Sequence, residues 1–166
     1  MERTLNRWLK PTATFMPSLR SSRLQTPDSR LQTPDFMDAS DREFFDRQLE
    51  VVLPGLPARI HELLHVVPLI VEDHPSRELR RKLRLRRKDT LCGLYTGVPL
   101  IRRSVEQSGT PSDVIHLFRM GLLAAARDAD GQVNADRLRQ EIRITILHEL
   151  GHYHGMDERE LEDLGY

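Results

Sequence analysis

His148-Glu149-Leu150-Gly151-His152 sets two imidazoles and a carboxylate at HExxH spacing. On a helix, residues four apart lie on one face, about one turn from each other. Both rings can then reach one tetrahedral Zn2+, and the glutamate beside the first ring can take a proton from a water on that ion. These residue types point to metal-assisted hydrolysis, with His148 and His152 as ligands and Glu149 as general base. The same spacing occurs again at His61-Glu62-Leu63-Leu64-His65. The surrounding sequence has to discriminate between the two copies.

Around the first copy, Leu56, Ile60, Leu63 and Leu64 make the apolar stripe of a short helix from Pro57 to His65. His61 and His65 fall on the flank of that stripe, and Glu62 points away from it. Val66, Val67 and Pro68 end the helix, and no glycine turn brings a later carboxylate back to the histidines. This copy reads as a surface helix with two solvent-facing histidines.

Around the second copy, Leu138, Ile142, Thr145, Ile146, Leu150 and Tyr153 form a broad apolar arc, and Glu149 lies inside it. A buried carboxylate is costly unless something compensates it, and a nearby metal ion would. The helix is long, starts at Asn134 or Asp136, runs to about His154, and ends where Gly155 can cap it. That glycine allows a sharp turn, after which Asp157 and Glu158 can return toward the histidines. Glu158 stands six residues after His152, where metzincin-type sites place a third ligand. Glu158 is therefore the expected third ligand, with Asp157 as the alternative and His154 less well directed. Three protein ligands leave a fourth position for water, as in a catalytic zinc site.

Other elements must position this helix. Residues 1–36 carry four prolines, no sustained period, and the repeat Arg23–Asp28 recurring at Arg30–Asp35. They read as a disordered tail, with Met37 as the expected start of the native protein and of a single domain over 37–166. A helix begins near Ser40 and turns Phe44, Phe45, Leu49 and Val52 to one side, until Pro54-Gly55 breaks it. Val66–Glu72 is rich in β-branched residues and reads as a strand, with Pro68 placing it at an edge or at its start. Leu91–Tyr95 and Val98–Arg102 read as short strands about the Thr96-Gly97 turn. Ser108–Pro111 reads as a loop. Asp113–Arg119 is a further strand, expected at an exposed edge where a peptide could add. Leu122–Asp128 is a short helix closed by Asp130-Gly131, and Asp157–Leu164 a final acidic helical turn or two.

The chain has 166 residues with 25 basic and 25 acidic side chains, so no global field favours nucleic acid or membrane. Its one cysteine, Cys92, rules out an intrachain disulfide, fits a reducing compartment, and reads as a small buried residue. No apolar run approaches the roughly 20 residues of a membrane helix. A cytoplasmic location is the expectation. Arg77–Lys88 is strongly basic but has no interleaved aromatic to stack on bases, and reads as a solvated helix or loop.

From about Asp41 to Tyr166 the chain resembles small bacterial zincin-like metallopeptidases. The resemblance rests on an ordered set: the N-terminal helix, Val66–Asp73, Gly93–Leu100 (GLYTGVPL), Ile115–Arg119, His148–Gly155 and the ending Leu161–Tyr166. It implies an α+β fold, a compact minimal zincin with a small twisted mixed sheet packed on the HExxH helix. It also implies Zn2+ as cofactor, a peptide or protein as substrate, and no metal role for His61–His65. The 36-residue tail and the length of the basic Arg77–Lys88 run depart from the pattern. The expected activity is peptide-bond hydrolysis by a metal-activated water with Glu149 as base. Tyr95, Tyr153 and Tyr166 are the candidate oxyanion donors. Two other readings remain: a zincin-fold binding or regulatory module without activity, and a basic-patch nucleic-acid binder with a structural metal.

Overall fold

The computed structural model describes residues 10–11, 37–86, 89–103 and 112–165. The expected tail at 1–36 therefore lies outside the described residues except for Lys10–Pro11, and so does the expected loop at Ser108–Pro111. Met37 is buried in the core.

The elements run in the order β1 (Lys10–Pro11), α1 (Ala39–Val52), α2 (Ala58–Val66), β2 (Leu69–Glu72), α3 (Arg77–Lys82), β3 (Asp89–Thr90), β4 (Gly93–Thr96), β5 (Val114–Phe118), α4 (Arg119–Ala125), α5 (Ala135–His154) and α6 (Glu158–Asp163). Short 3-10 turns at Leu53–Gly55 and Leu100–Arg102 complete them. The arrangement is α+β, with a mixed three-stranded sheet in the order β2-β5-β4. β5 runs parallel to β2, with Ile115 opposite Leu69, and antiparallel to β4, with Leu117 opposite Gly93. Two-residue β1 pairs antiparallel with β3, apart from that sheet.

Alternation along β5 decides what lies behind the sheet. Ile115 and Leu117 are buried on the side facing α5, while His116 points to the other face. There His116 Nδ1 lies 2.9 Å from Glu72 Oε2, and its ring stacks on Phe118. α1 and α4 pack on α5, so Phe45, Val52, Leu122, Leu138, Ile142, Ile146 and Leu150 join the two strand residues in one core. A Leu or Ile fully buried in such a cluster contributes about 1.5–3 kcal/mol. That burial holds α5 as a rigid rod across the sheet.

An ion-pair junction ties the elements around this core. Asp73, just after β2, accepts from Arg42 of α1 and from Arg119 of α4, and Arg119 also reaches Asp46. Hydrogen bonding from Arg42 holds the Asp73 carboxyl below the usual carboxylate range.

Two expectations about the strands fail. Asp113–Arg119 was expected at an edge, but β5 is the central strand and both its sides are paired, so no peptide can add there. The alternation of one strand reports burial of its faces, not occupancy of its edges. Val98–Arg102 is not a strand. Pro99 precedes a 3-10 turn over Leu100–Arg102, and β4 takes β5 as its antiparallel partner instead of a hairpin mate.

Candidate active site

α5 is capped at both ends by its own sequence. Asn134 accepts from the Arg137 N–H at the start, which settles the choice between Asn134 and Asp136. At the other end Gly155 adopts φ 93°, a left-handed conformation that an L side chain resists. The Gly155 N–H donates to His152 O and the Met156 N–H to Gly151 O, the paired closure of a Schellman motif. The chain thereby doubles back over the last turn of α5. Asp157 then caps α6 through a capping box: its Oδ1 accepts from the Glu160 N–H while Glu160 Oε2 accepts from the Asp157 N–H. Leu161 of α6 is 1% exposed and sits over Gly151, which docks α6 on α5.

This reversal brings Glu158 to the histidines. His148 Nε2 and His152 Nε2 are 3.0 Å apart, and Glu158 Oε1 lies 3.6 Å from the first and 3.4 Å from the second. Ligands about 2.05 Å from a tetrahedral zinc stand about 3.3 Å from one another, so the three atoms fit the edges of such a tetrahedron. Two imidazole nitrogens and a carboxylate oxygen are also the donor types zinc prefers. The His152 Nδ1 lies 3.1 Å from Met156 O, an arrangement that leaves Nε2 as the lone-pair nitrogen facing the cluster. Asp157 is occupied as a helix cap, and His154 turns to the other side against Tyr153. Among the described residues, His148, His152 and Glu158 are the group whose atoms could hold a cation.

Glu149 is 5% exposed and faces the opposite wall, β4. Its Oε2 accepts the Tyr95 N–H at 2.6 Å. Gly93 makes the approach possible, because a Cβ there would lie 2.5 Å from Thr145 Cγ2 and 3.1 Å from Glu149 Oε1. Burial pushes the Glu149 carboxyl up to about 8, the Tyr95 N–H pulls the other way, and the charge of Glu158 adds to the rise. A cation at the three-ligand cluster would favour the ionised form. The cleft over these groups has a volume of about 410 Å3, and Leu91, Tyr95, Arg102, His148, Glu149 and Glu158 are among its walls.

The sequence offered the Tyr95 side chain as one of three oxyanion-donor candidates and missed its backbone. The hydroxyl donates to Asp113 Oδ1 at 2.5 Å, and burial and that carboxylate hold it protonated well above its ordinary value. It is therefore committed elsewhere. Tyr153 is buried edge-on to Tyr95 beneath the Arg103 guanidinium, and Tyr166 lies outside the described residues. The signal for the Tyr95 N–H was the small residue Gly93 two positions before it, the mark of a close backbone approach.

The remaining sequence candidates lie away from this cleft. α2 carries His61, Glu62 and His65 on a helix with no fully buried residue, and among the described residues they join no third ligand. Cys92 is buried.

No curated protein matches the chain. A family model described as zincin-like metallopeptidase matches residues 64–166, a stretch that contains the sheet, α5 and α6 but begins after His61. That match covers most of the chain, and the protein belongs to the zincin-like metallopeptidase family.

Proposed function

We propose that the protein is a zinc-dependent peptidase whose ligands are His148, His152 and Glu158 and whose general base is Glu149. The observation that carries this reading is the convergence of those three ligand atoms beside a buried carboxylate, in the cleft of a metallopeptidase-family chain. When bound, zinc supplies an acidified water and a Lewis acid for the substrate carbonyl.

The chain's own residues do the rest. Glu149 takes the proton of the attacking water and delivers it to the leaving amine, a transfer that needs a carboxylate held in one orientation. The Tyr95 N–H fixes that orientation, since it engages Oε2 and leaves Oε1 for the proton. Ionised Glu149 is disfavoured by its burial and favoured by the cation, which brings a group at about 8 toward the operating range of a base. β4 is an edge of the sheet, and its residues Gly93, Leu94 and Tyr95 line the cleft. An extended substrate would lie along β4, in place of the β5 edge expected from sequence.

Zinc per chain, measured by elemental mass spectrometry after controlled reloading, tests the ligand set. One zinc is expected in the wild type and in His61→Ala, with loss in His148→Ala and weakened retention in Glu158→Gln. Loss in His61→Ala alone would place the metal on α2 and overturn this ligand set. Glu149→Gln is expected to keep zinc and lose hydrolysis of a peptide library. Full activity in that variant would end the general-base role, and a zinc-loaded wild type that cleaves no peptide would favour a binding module.

A further inference from the structure

The catalytic cleft does not end at its own walls. Leu91 also lines a second cavity of about 510 Å3, whose other walls include His74, Arg77 and Arg80. Leu83, which caps the C-terminus of α3, forms part of the catalytic cleft itself. The basic run 77–86 is thus not a detached surface face. Leu83 places it at the rim of the cleft on one side, and Arg77 and Arg80 border the adjoining cavity that shares Leu91.

Several arginines away from this rim are held by carboxylates. Arg42, Arg103, Arg119 and Arg139 are engaged by Asp73, Asp113, Asp46 and Asp136. Arg80 is spent on the carbonyls of Arg86 and Asp89, and so shapes the loop after α3. Arg77, Arg81, Lys82, Arg84 and Arg86 are exposed, and Arg102 is an exposed wall residue of the catalytic cleft. Among the described residues, no carboxylate pairs with any of these six side chains. Of these, Arg102 lines the catalytic cleft, whose walls also carry Glu149, Asp157 and Glu158, and Arg77 lines the second cavity with Asp89; the positive field comes from the exposed 77–86 run beside them, in a chain whose formal net charge is zero.

We propose that the substrates are acidic peptide segments, bound with their carboxylates on the α3 side of the cleft and in the Arg77 cavity. The proposal rests on the peptidase reading and adds the substrate class. A peptide fits this field better than a nucleic acid does. The rim offers no aromatic side chain for base stacking. The acidic side chains of α6, Glu160, Glu162 and Asp163, follow directly after the ligand Glu158 and would repel a continuous phosphate backbone. A peptide can place carboxylates toward α3 and neutral or basic side chains toward α6.

The test uses the full chain carrying Glu149→Gln, so that binding is read without turnover. Fluorescein-labelled acidic, neutral and basic peptides of one length are compared by anisotropy, with a single-stranded RNA as competitor. The acidic peptide is expected to bind at least about tenfold more tightly than the neutral one. Removal of three exposed charges should weaken acidic-peptide binding about tenfold in Arg77→Gln/Arg81→Gln/Arg84→Gln. That loss should shrink as salt rises. Binding of the neutral peptide should not change in the triple variant. Equal affinity for all peptides, or stronger binding of RNA that the acidic peptide fails to displace, would overturn the proposal. Wild-type cleavage of neutral and acidic peptides at equal rates would overturn it while leaving the peptidase reading intact. Rim-dependent acidic binding with no cleavage by the zinc-loaded wild type would do the reverse.

Discussion

Gly93→Ala probes the contact that aims Glu149, the proposed general base. A Cβ at this position would meet Thr145 Cγ2 at 2.5 Å, with Glu149 Oε1 at 3.1 Å and Glu149 Cγ at 3.2 Å. Ordinary carbon contacts lie near 3.5–4.0 Å, so β4 and α5 must separate by about 1 Å. Overpacking of this kind costs about 1–3 kcal/mol in stability. The same displacement carries the Tyr95 N–H away from Glu149 Oε2, now at 2.6 Å, and a hydrogen bond to a charged group is worth about 1.5–3 kcal/mol. Were that expressed in the transition state, kcat/KM would fall by about ten- to a hundredfold. Zinc stoichiometry should stay at the wild-type value, because the proposed ligands belong to α5 and α6 and not to β4. Thr145 supplies the control. Its methyl is the colliding group, and its buried hydroxyl has no hydrogen-bond partner among the described residues. Thr145→Ala should therefore recover stability and turnover when combined with Gly93→Ala, giving a coupling of opposite sign to the two separate effects. Urea denaturation, zinc content and peptide hydrolysis of the four proteins in the cycle measure this. Wild-type stability and turnover in Gly93→Ala would refute the idea that close approach of β4 positions Glu149.

Other perturbations have equally definite outcomes. Gly155→Ala forces a methyl-bearing residue to φ 93° and should cost about 1–2 kcal/mol while weakening zinc retention, as read by chelator competition; unchanged retention would separate the turn from the site. Leu161→Ala removes the side chain that docks α6 and should destabilise by about 2–5 kcal/mol, with faster zinc loss than in the wild type; differential scanning calorimetry and a chelator chase check it. Asp73 has a folded pKa below its ordinary 3.8, so the stability it supplies is present above that value and disappears as pH falls through the lower folded pKa. Asp73→Asn should therefore lower the urea midpoint at neutral pH and flatten the acid limb below about pH 4; an unchanged acid limb would mean that the Arg42 junction contributes nothing to acid sensitivity.

Much of the site was legible because its determinants are local. HExxH periodicity, the glycine after the helix and the acid six residues beyond His152 all lie in one stretch. Sequence left Asp157 and Glu158 open, since both follow the turn. The capping box separates them, for Asp157 and Glu160 satisfy each other's backbone donors and leave Glu158 to face the histidines. The sheet was less legible. β-branched residues in Val66–Glu72 signalled a strand, but only the Leu69–Glu72 part pairs. The central place of β5 depends on partners separated from it in sequence, which no alternation pattern within β5 encodes. The Tyr95 N–H was hidden for a related reason: a main-chain donor carries no residue signature, and its acceptor is 54 residues away.

That difference in sequence distance has a consequence for how the protein matures. His148, His152 and Glu158 are joined by one helical turn and one capped reversal, so loop-closure entropy scarcely opposes their meeting. Glu149 and the Tyr95 N–H meet only when a strand from the middle of the chain has closed on the C-terminal helix, a contact of long range. On the proposed ligand set, capture of the ion would be a property that the C-terminal segment can gain early, whereas hydrolytic competence would wait for global closure. If the chain is the peptidase proposed here, a nascent or partly unfolded copy would bind zinc before it could cut its neighbours.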